Sequence, residues 1–538
     1  MIFNKLITRG LYLLVFLLPI QTRWIIGQGG NEYSTLSLYG TDILLIFVLV
    51  ILMTSKIRNP KSEIRNKLKI KNSNRTDTVD NKRNFTATSG KIPWPWLLIA
   101  GLNLVSLISI IFAQDKLIAL QAYMRLTLGM GLFWLILRAE FDRLKLIYYF
   151  LAGVFLQASI GIRQFLTQST FSSKWLGLAS HNVGDLGTSV VETLNGERWL
   201  RAYGGQDHPN ILGGLLVVGI ILTISLLAGF KKNGGQISNY PPRLAASRRE
   251  AGKLQISNKI QNPKSKIQNY IYYFLYFVFL TALFFSFSRG AWVGLIVGLA
   301  VYFGFGILDF RFGNAKAPSR DGETSGEAKL SFWESRKLIS ELLKLIAIGA
   351  VFISILFFLY RDLALTRLSQ DTRLEVKSNT ERIASLRDAT MIIKNNWLTG
   401  VGIGNYTLAL EKFYPDQPSW FYQPAHNVFL LVWSEAGIAG IILYLGILGI
   451  VIISNFSARG GSAYGGQFFP RTEPRLREIL GIRNSASNTA IDKVAAIAII
   501  FSLITMSQVD HYFWSLHFGI LLFWFVLGLA ARQREELS

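Results

Sequence analysis

The chain of 538 residues contains no cysteine. Disulfides, thiol nucleophiles and thiolate-held metals are therefore excluded as sources of stability or chemistry. Histidine is scarce as well, with 5 in the whole sequence. No two of them stand at metal-ligand spacing along the chain and no Asp-x-Asp occurs, so neither a metal centre nor a cofactor is expected. No Walker sequence is present, and the glycines at 400, 402 and 404 follow no strand of a βαβ unit, which makes a nucleotide loop a weak reading. Acidic residues are few, 33 against 56 Lys and Arg, for a net charge of +23. That excess does not point to nucleic acid, because the basic residues concentrate in hydrophilic segments between apolar runs, where they set membrane topology.

What the chain has in abundance is apolar sequence: 51% of its residues are hydrophobic. Many runs reach the ~20 residues that span hydrocarbon. The expected fold is all-α, a polytopic integral membrane protein with about twelve transmembrane helices near 3–20, 39–55, 93–112, 118–137, 144–166, 209–230, 270–288, 291–309, 338–360, 425–453, 491–510 and 513–531. The first run, after Lys5 and Arg9, resembles a signal peptide without a small-residue cleavage site, and is read as an uncleaved span. Segments 55–92, 138–145, 231–269, 310–337 and 454–490 are basic or polar, which assigns them and both termini to the cytoplasmic side of the membrane. Residues 56–66 (KIRNPKSEIRN) and 259–269 (KIQNPKSKIQN) share eight of eleven positions and read as low-complexity insertions. The whole is expected to be one membrane domain, with its functional loops, 167–208 and 361–424, on the periplasmic side. Those loops carry Trp, Tyr, Gly, Arg and Glu, a composition suited to binding sugars. In the longer one, Ser378-Asn379-Thr380-Glu381 fits a capping box, followed by a mostly apolar face of Ile383, Leu386, Thr390 and Ile393 and a glycine-rich turn.

Three clusters on the outer side carry candidate chemistry. Arg198 and Arg201 precede His208-Pro209-Asn210, where Pro209 suits the first turn of a helix whose free N–H groups favour an anion. Arg289 lies in Ser286-Phe287-Ser288-Arg289-Gly290-Ala291-Trp292, inside an apolar run long enough for two spans. At membrane depth its charge costs at least ~2.5 kcal/mol, so it belongs at a hairpin or against an anion. His426, in Pro424-Ala425-His426-Asn427, can exchange a proton near neutral pH, and His511 beside Asp510 is its rival. Each has a plainer alternative: arginines that meet lipid headgroups or snorkel to the surface, and interface histidines with ordinary partners. Two arginines and a histidine without a metal suit one chemistry. Arginine neutralises a diphosphate leaving group in place of a divalent ion, and histidine takes the proton of an acceptor hydroxyl.

In order and spacing these motifs, with Arg201-Ala202-Tyr203-Gly204, Gly400-Val401-Gly402-Ile403-Gly404-Asn405-Tyr406 and Glu435-Ala436-Gly437, resemble the O-antigen ligase and polymerase superfamily over roughly 93–453. The resemblance implies a fold of the lipid-linked-sugar glycosyltransferase (GT-C-like) type. It also implies transfer of a glycan from undecaprenyl diphosphate to an acceptor hydroxyl, of lipid A core or of a growing glycan, on the periplasmic face. It would make Arg201, Arg289 and His426 catalytic, with Arg198, His208, Asn210, Glu381, Arg382 and Asn427 binding substrate. Gly205-Gln206-Asp207 replaces the Thr-Phe pair often found in the family before His-Pro-Asn, so local donor contacts are expected to differ. Polymerase and protein O-oligosaccharyltransferase share this donor. A bicarbonate or other anion transporter is the reading from another class, for which broken helices would be the sign; none is clear in the sequence, although Gly213-Gly214 and the glycine-containing eighth span leave room. Deletion of 62–90 is expected to leave insertion and glycan transfer within about twofold of the intact protein, measured in membranes, because low-complexity segments do not build a packed core.

Overall fold

The computed structural model describes residues 2–29, 32–57, 94–185, 187–193, 195–232, 263–313, 326–369, 372–457 and 488–535, and the chain is mostly helical. Most of the basic insertions read from the sequence (58–93, 233–262, 314–325 and 458–487) lie outside the described residues. The helices, in order, are α1 Ile2–Leu17, α2 Gly40–Ile57, α3 Trp94–Ser109, α4 Lys116–Arg138, α5 Arg143–Thr167, α6 Pro209–Lys232, α7 Pro263–Ser286, α8 Arg289–Gly313, α9 Gly326–Leu359, α10 Arg361–Ser369, α11 Arg373–Asn396, α12 Tyr406–Phe413, α13 Val428–Ser457, α14 Asn488–Ser507, α15 Tyr512–Ser515 and α16 His517–Glu535. Among the described residues seven helices are long and apolar enough to cross a membrane (α3, α4, α5, α6, α7, α9 and α13), and α2, α8, α14 and α16 are apolar but shorter. These lengths and compositions make the chain a polytopic membrane protein. Helices α7 and α9 start earlier than the apolar runs imply, at Pro263 and Gly326. Hydrophilic residues extend both helices, and Pro263 is tolerated at a first helical position.

The all-α expectation needs one correction. Two short antiparallel hairpins are present, β1 Arg23–Gly27 with β2 Leu36–Tyr39, and β3 Val190–Glu192 with β4 Arg198–Leu200. The second falls inside the polar 167–208 segment. There Val190 and Val191 face Leu200 and Trp199, residue types that favour strands, and Gly196 takes a left-handed turn conformation between them.

The chain divides into two compact units: Met1–Tyr149 with Ser385–Val451 and His511–Leu529, and Phe150–Ala384 with Ile452–Asp510 and Ala530–Ser538. In the second unit α6 is the axis. Its apolar stretch is wholly buried, and it packs against α7, α8 and α14. Small residues allow the close approach that membrane helices use in place of a hydrophobic drive. A Cβ on Gly213 would come within 2.8 Å of the Ala291 Cβ, and Gly294 and Gly298, four residues apart on α8, face Met506 and Ser502 of α14.

In the first unit the informative helix is α13. It is broken at Gly437, which has φ 68° and ψ −172°, a region open essentially to glycine alone. The break frees backbone groups, and neighbouring backbone takes them up. Val401 N–H donates to the Ser434 carbonyl at 2.8 Å, Gly402 N–H to the Glu435 carbonyl at 3.0 Å, and Ile438 N–H to the Trp397 carbonyl at 2.9 Å. Glu435, buried, accepts the indole N–H of Trp514 at 2.8 Å and the backbone N–H groups of Gly404 and Tyr406. Gly400, Gly402 and Gly404 all have positive φ, as the expected turn requires. The absence of broken helices assumed from the sequence is therefore corrected: a Gly-for-helix signal is invisible when glycine is as common as it is here, 47 residues. Gly437→Ala would place a Cβ 2.1 Å from the Leu398 carbonyl oxygen in a left-handed backbone. The substitution should cost at least ~1–3 kcal/mol, read as a lowered thermal unfolding midpoint of the detergent-solubilised protein.

Candidate functional site

The second unit gathers arginines around the turn between α7 and α8. Helix α7 ends at Ser286, and Phe287 takes φ 46°, the left-handed position that glycine usually fills after a helix. Phe287 is held there by aromatic contacts with Phe165 and Phe284. Ser288 then leads into α8, its Oγ accepting the Ala291 N–H at 3.4 Å, and Arg289 is the first residue of α8. The carbonyls left over at the end of α7 are capped by two arginines from elsewhere. Arg201 Nε donates to the Ser286 carbonyl at 2.8 Å, and Arg367 Nε to the Phe287 carbonyl at 3.2 Å. Cations at a helix C-terminus also meet its partial negative charge.

Arg201 is buried, and its guanidinium is well partnered. Nη1 donates to Ser189 Oγ at 2.8 Å and Nη2 to Asn210 Oδ1 at 2.9 Å. Burial, then repulsion from Arg367, push it well below the usual arginine value. A guanidinium is not deprotonated in proteins, so Arg201 acts as a cation. Asn210 passes the network on, its Nδ2 donating to Asp510 Oδ2 at 2.9 Å. His208 Nδ1 accepts the Asn210 N–H at 3.1 Å, which puts the proton of a neutral ring on Nε2, 3.2 Å from Ser189 Oγ. Arg201, His208 and Asn210 thus form one cluster before and within the first turn of α6, which begins at Pro209 as expected. Arg198 is apart from it, on β4, and donates to the Gly184 carbonyl at 3.3 Å.

Two glutamines position this segment. Gln164 accepts the N–H groups of Tyr203 and Gly204 and donates to the Gly204 carbonyl, and Gln157 accepts the Gly205 N–H. Both are buried on α5. Seven residues apart, they share a helix face, and two amides on one face of an apolar run were a legible signal that sequence reasoning passed over.

The third group comes from α10 and α11. Glu375, in the first turn of α11, is an ion-pair partner of both Arg289 and Arg367. Arg289 Nη2 lies 3.2 Å from Glu375 Oε2 and donates to Asn379 Oδ1 at 3.1 Å, while Arg367 Nη1 donates to Glu375 Oε1. Arg382, two turns beyond Glu375 on α11, has its pKa lowered by burial, as Arg367 does, and feels attraction from Asp510 and Glu375 and repulsion from Arg289. Arg289, Arg367 and Arg382 are thus three cations grouped about one buried carboxylate. Here the sequence reading needs two corrections. Helix α11 begins at Arg373, so Ser378 lies inside it and caps nothing, because Glu375 uses the first turn to reach the arginines. Glu381 is exposed on the opposite side and pairs with Lys377 at 3.6 Å, not with the arginine group. The expected apolar face fails with it: Ile383 and Leu386 are exposed, and the inward face carries Glu375, Asn379, Arg382, Ala389 and Ile392.

In the first unit His426 and His511, far apart in the chain, bring their rings to 5.3 Å between centroids. Spacing along the sequence could not reveal this pair. Ser515 Oγ donates to the His511 carbonyl at 3.0 Å, so the 2.6 Å contact with His511 Nδ1 is read as Nδ1–H donating back, which leaves Nε2 as the acceptor nitrogen. Asn427 is the N-cap of α13, its Oδ1 accepting the N–H groups of Phe429 and Leu430 at 3.0 and 3.1 Å. Trp420 is 59% exposed here, and Trp175 is 72% exposed in the second unit, so both polar segments carry an exposed aromatic side chain.

These features define an integral membrane protein, mostly helical, whose buried polar groups are organised by arginine. Residues 274–445 match the family model described as O-antigen ligase. The resemblance to the O-antigen ligase and polymerase superfamily is borne out over that stretch. No curated protein matches the chain. The matched stretch contains Arg289, Arg367, Glu375, Glu381, Arg382, His426 and Asn427, and leaves Arg198, Arg201, His208 and Asn210 outside it.

The partners of Arg201 set an expectation for its removal. Arg201→Ala strips donors from the Ser286 carbonyl, Ser189 and Asn210 together. A buried acceptor left unsatisfied costs ~1–3 kcal/mol. The variant should therefore unfold measurably earlier than wild type in a detergent melt, and earlier than Arg289→Ala.

Proposed function

We propose that the protein is a glycan transferase of the O-antigen ligase type. It moves an oligo- or polysaccharide from undecaprenyl diphosphate to an acceptor hydroxyl of lipid A core or of a growing glycan, at the periplasmic face of a bacterial inner membrane. The observation that carries this reading is Arg289. It opens a helix whose N-terminus favours an anion, its Nη1 is buried without an acceptor among the described residues, and it lies inside the O-antigen ligase match. The twelve-span topology with both termini cytoplasmic, the single membrane domain with its two periplasmic loops and the GT-C-like type belong to the same proposal.

In the transfer step the bond between the anomeric carbon and the diphosphate oxygen breaks, and a bond from the acceptor oxygen to that carbon forms. The diphosphate leaves with its pair of electrons, and Arg289 stabilises the developing charge with a planar fork of N–H donors. Arg201 contributes its charge and two N–H groups beyond the three engaged by protein. The acceptor's proton goes to His426, with His511 beside it as the neighbouring imidazole. Arg198, His208, Asn210, Arg382 and Asn427 orient substrate or the residues that hold it, and exposed Glu381 is reserved for the glycan. The anion-transporter alternative gains a broken helix at Gly437, yet the Ile438 N–H just beyond the break donates to the Trp397 carbonyl and is not offered to an anion.

Reconstituted protein, supplied with lipid-linked oligosaccharide with and without lipid A core, tests the reading. Product on the core marks a ligase, a ladder of longer lipid-linked glycans marks a polymerase, and no product with either donor–acceptor pair would refute the transferase. Arg289→Ala should lower the rate at least ~100-fold, with a smaller fall in unfolding midpoint than Arg201→Ala. Arg289→Lys should recover little of it, since an ammonium cannot reproduce the fork. Transfer should persist in EDTA; loss that a divalent ion restores would remove the metal-independent mechanism.

A further inference from the structure

Glu375 has no role in the transfer step above, yet its side chain is only 4% exposed and lies against two arginines. Its two oxygens are held differently. Oε1 receives a hydrogen bond from Arg367 Nη1, and Arg367 is itself anchored through Nε to the Phe287 carbonyl. Oε2 faces Arg289 Nη2 at 3.2 Å but accepts no hydrogen bond among the described residues, while that nitrogen donates one N–H to Asn379. Arg289 therefore keeps a buried Nη1 without an acceptor among the described residues, beside a carboxylate oxygen bound to it by charge alone. A buried N–H donor left unused, as at Nη1, is costly unless something else completes it. An acceptor oxygen would complete it, and beside a guanidinium a negatively charged one is favoured.

We propose that Glu375 is a resident counter-anion for Arg289: it neutralises Arg289 between turnovers, and the diphosphate of the donor displaces that pairing while Arg367 keeps the carboxylate in place. This rests on the reading of Arg289 as the diphosphate ligand. The fixed negative charge weakens diphosphate binding and, after transfer, opposes retention of the more highly charged undecaprenyl diphosphate product. Glu375 is in this sense a positioning residue that sets release. A strut serving the fold alone would have the opposite signature, since its loss would loosen Arg289 and weaken binding.

The experiment is binding of inorganic pyrophosphate and of undecaprenyl diphosphate to the full-length protein in detergent, for wild type, Glu375→Gln, Arg289→Ala and the double variant. Glu375→Gln should bind both probes about tenfold tighter or more, since a unit like charge a few ångströms away opposes them, and Arg289→Ala should abolish the gain. With a normal melt, unchanged or weaker binding by Glu375→Gln overturns the proposal, and so does absence of binding of either probe to wild type and Glu375→Gln alike. If pyrophosphate binding tightens but no variant binds the lipid, the counter-anion stands and the lipid-donor reading falls. If Glu375→Gln does not fold, Glu375→Asp serves: it keeps the charge but draws it back from Arg289, and should tighten pyrophosphate binding by a smaller factor, with unchanged affinity counting against the proposal.

Discussion

Buried polar groups have no water to turn to, and in this protein that constraint shapes both polar clusters. A backbone carbonyl or charged side chain left without a partner in hydrocarbon costs several kcal/mol. The turn between α7 and α8 exposes two carbonyls at its tightest point, and Arg201 and Arg367 donate to them in succession. Bringing in those arginines raises the second problem, a concentration of positive charge. Ser189, Asn210 and Glu375 answer it by accepting from the guanidinium groups. The geometry proposed to act on a diphosphate is thus the same one that closes a membrane hairpin, and Arg289, at the start of α8, is the member with donors to spare.

The other unit solves the same problem with backbone in place of arginine. Breaking α13 at Gly437 frees the Ser434 and Glu435 carbonyls, and the glycine-rich segment at 400–404 supplies the N–H groups. Glu435, three times an acceptor, fixes that segment against Trp514. At the start of the same helix the Asn427 cap fixes the chain immediately after His426. In the second unit Gln157 and Gln164 do equivalent work, holding Tyr203, Gly204 and Gly205 so that Arg201 enters the cluster at a fixed angle.

Much of this was legible in the chain itself. Apolar runs of membrane length placed the helices because hydrophobic transfer is a property of composition and length. Arg289 inside an apolar stretch marked the α7–α8 turn, since a charge there is too costly to be incidental. Pro209 marked the start of α6, and the motif order carried the superfamily resemblance. Partnerships were not legible. Glu375 and Glu381 are both acids near the start of one helix, and only the helix's true beginning and its rotation decide that the first meets arginine and the second meets solvent and Lys377. Arg367, one more basic residue in a polar segment by sequence, becomes a cap for Phe287.

By itself, then, the sequence determined that this is a membrane protein, where its helices run and which arginines cannot be ordinary, because burial of a charge or an apolar run has a large energy that depends on local composition. The tertiary structure decided which carboxylate neutralises which arginine, that His426 stands beside His511, and that α13 breaks at Gly437. Such contacts join residues scores of positions apart, and a hydrogen bond of about 3 Å depends on packing that no local pattern encodes.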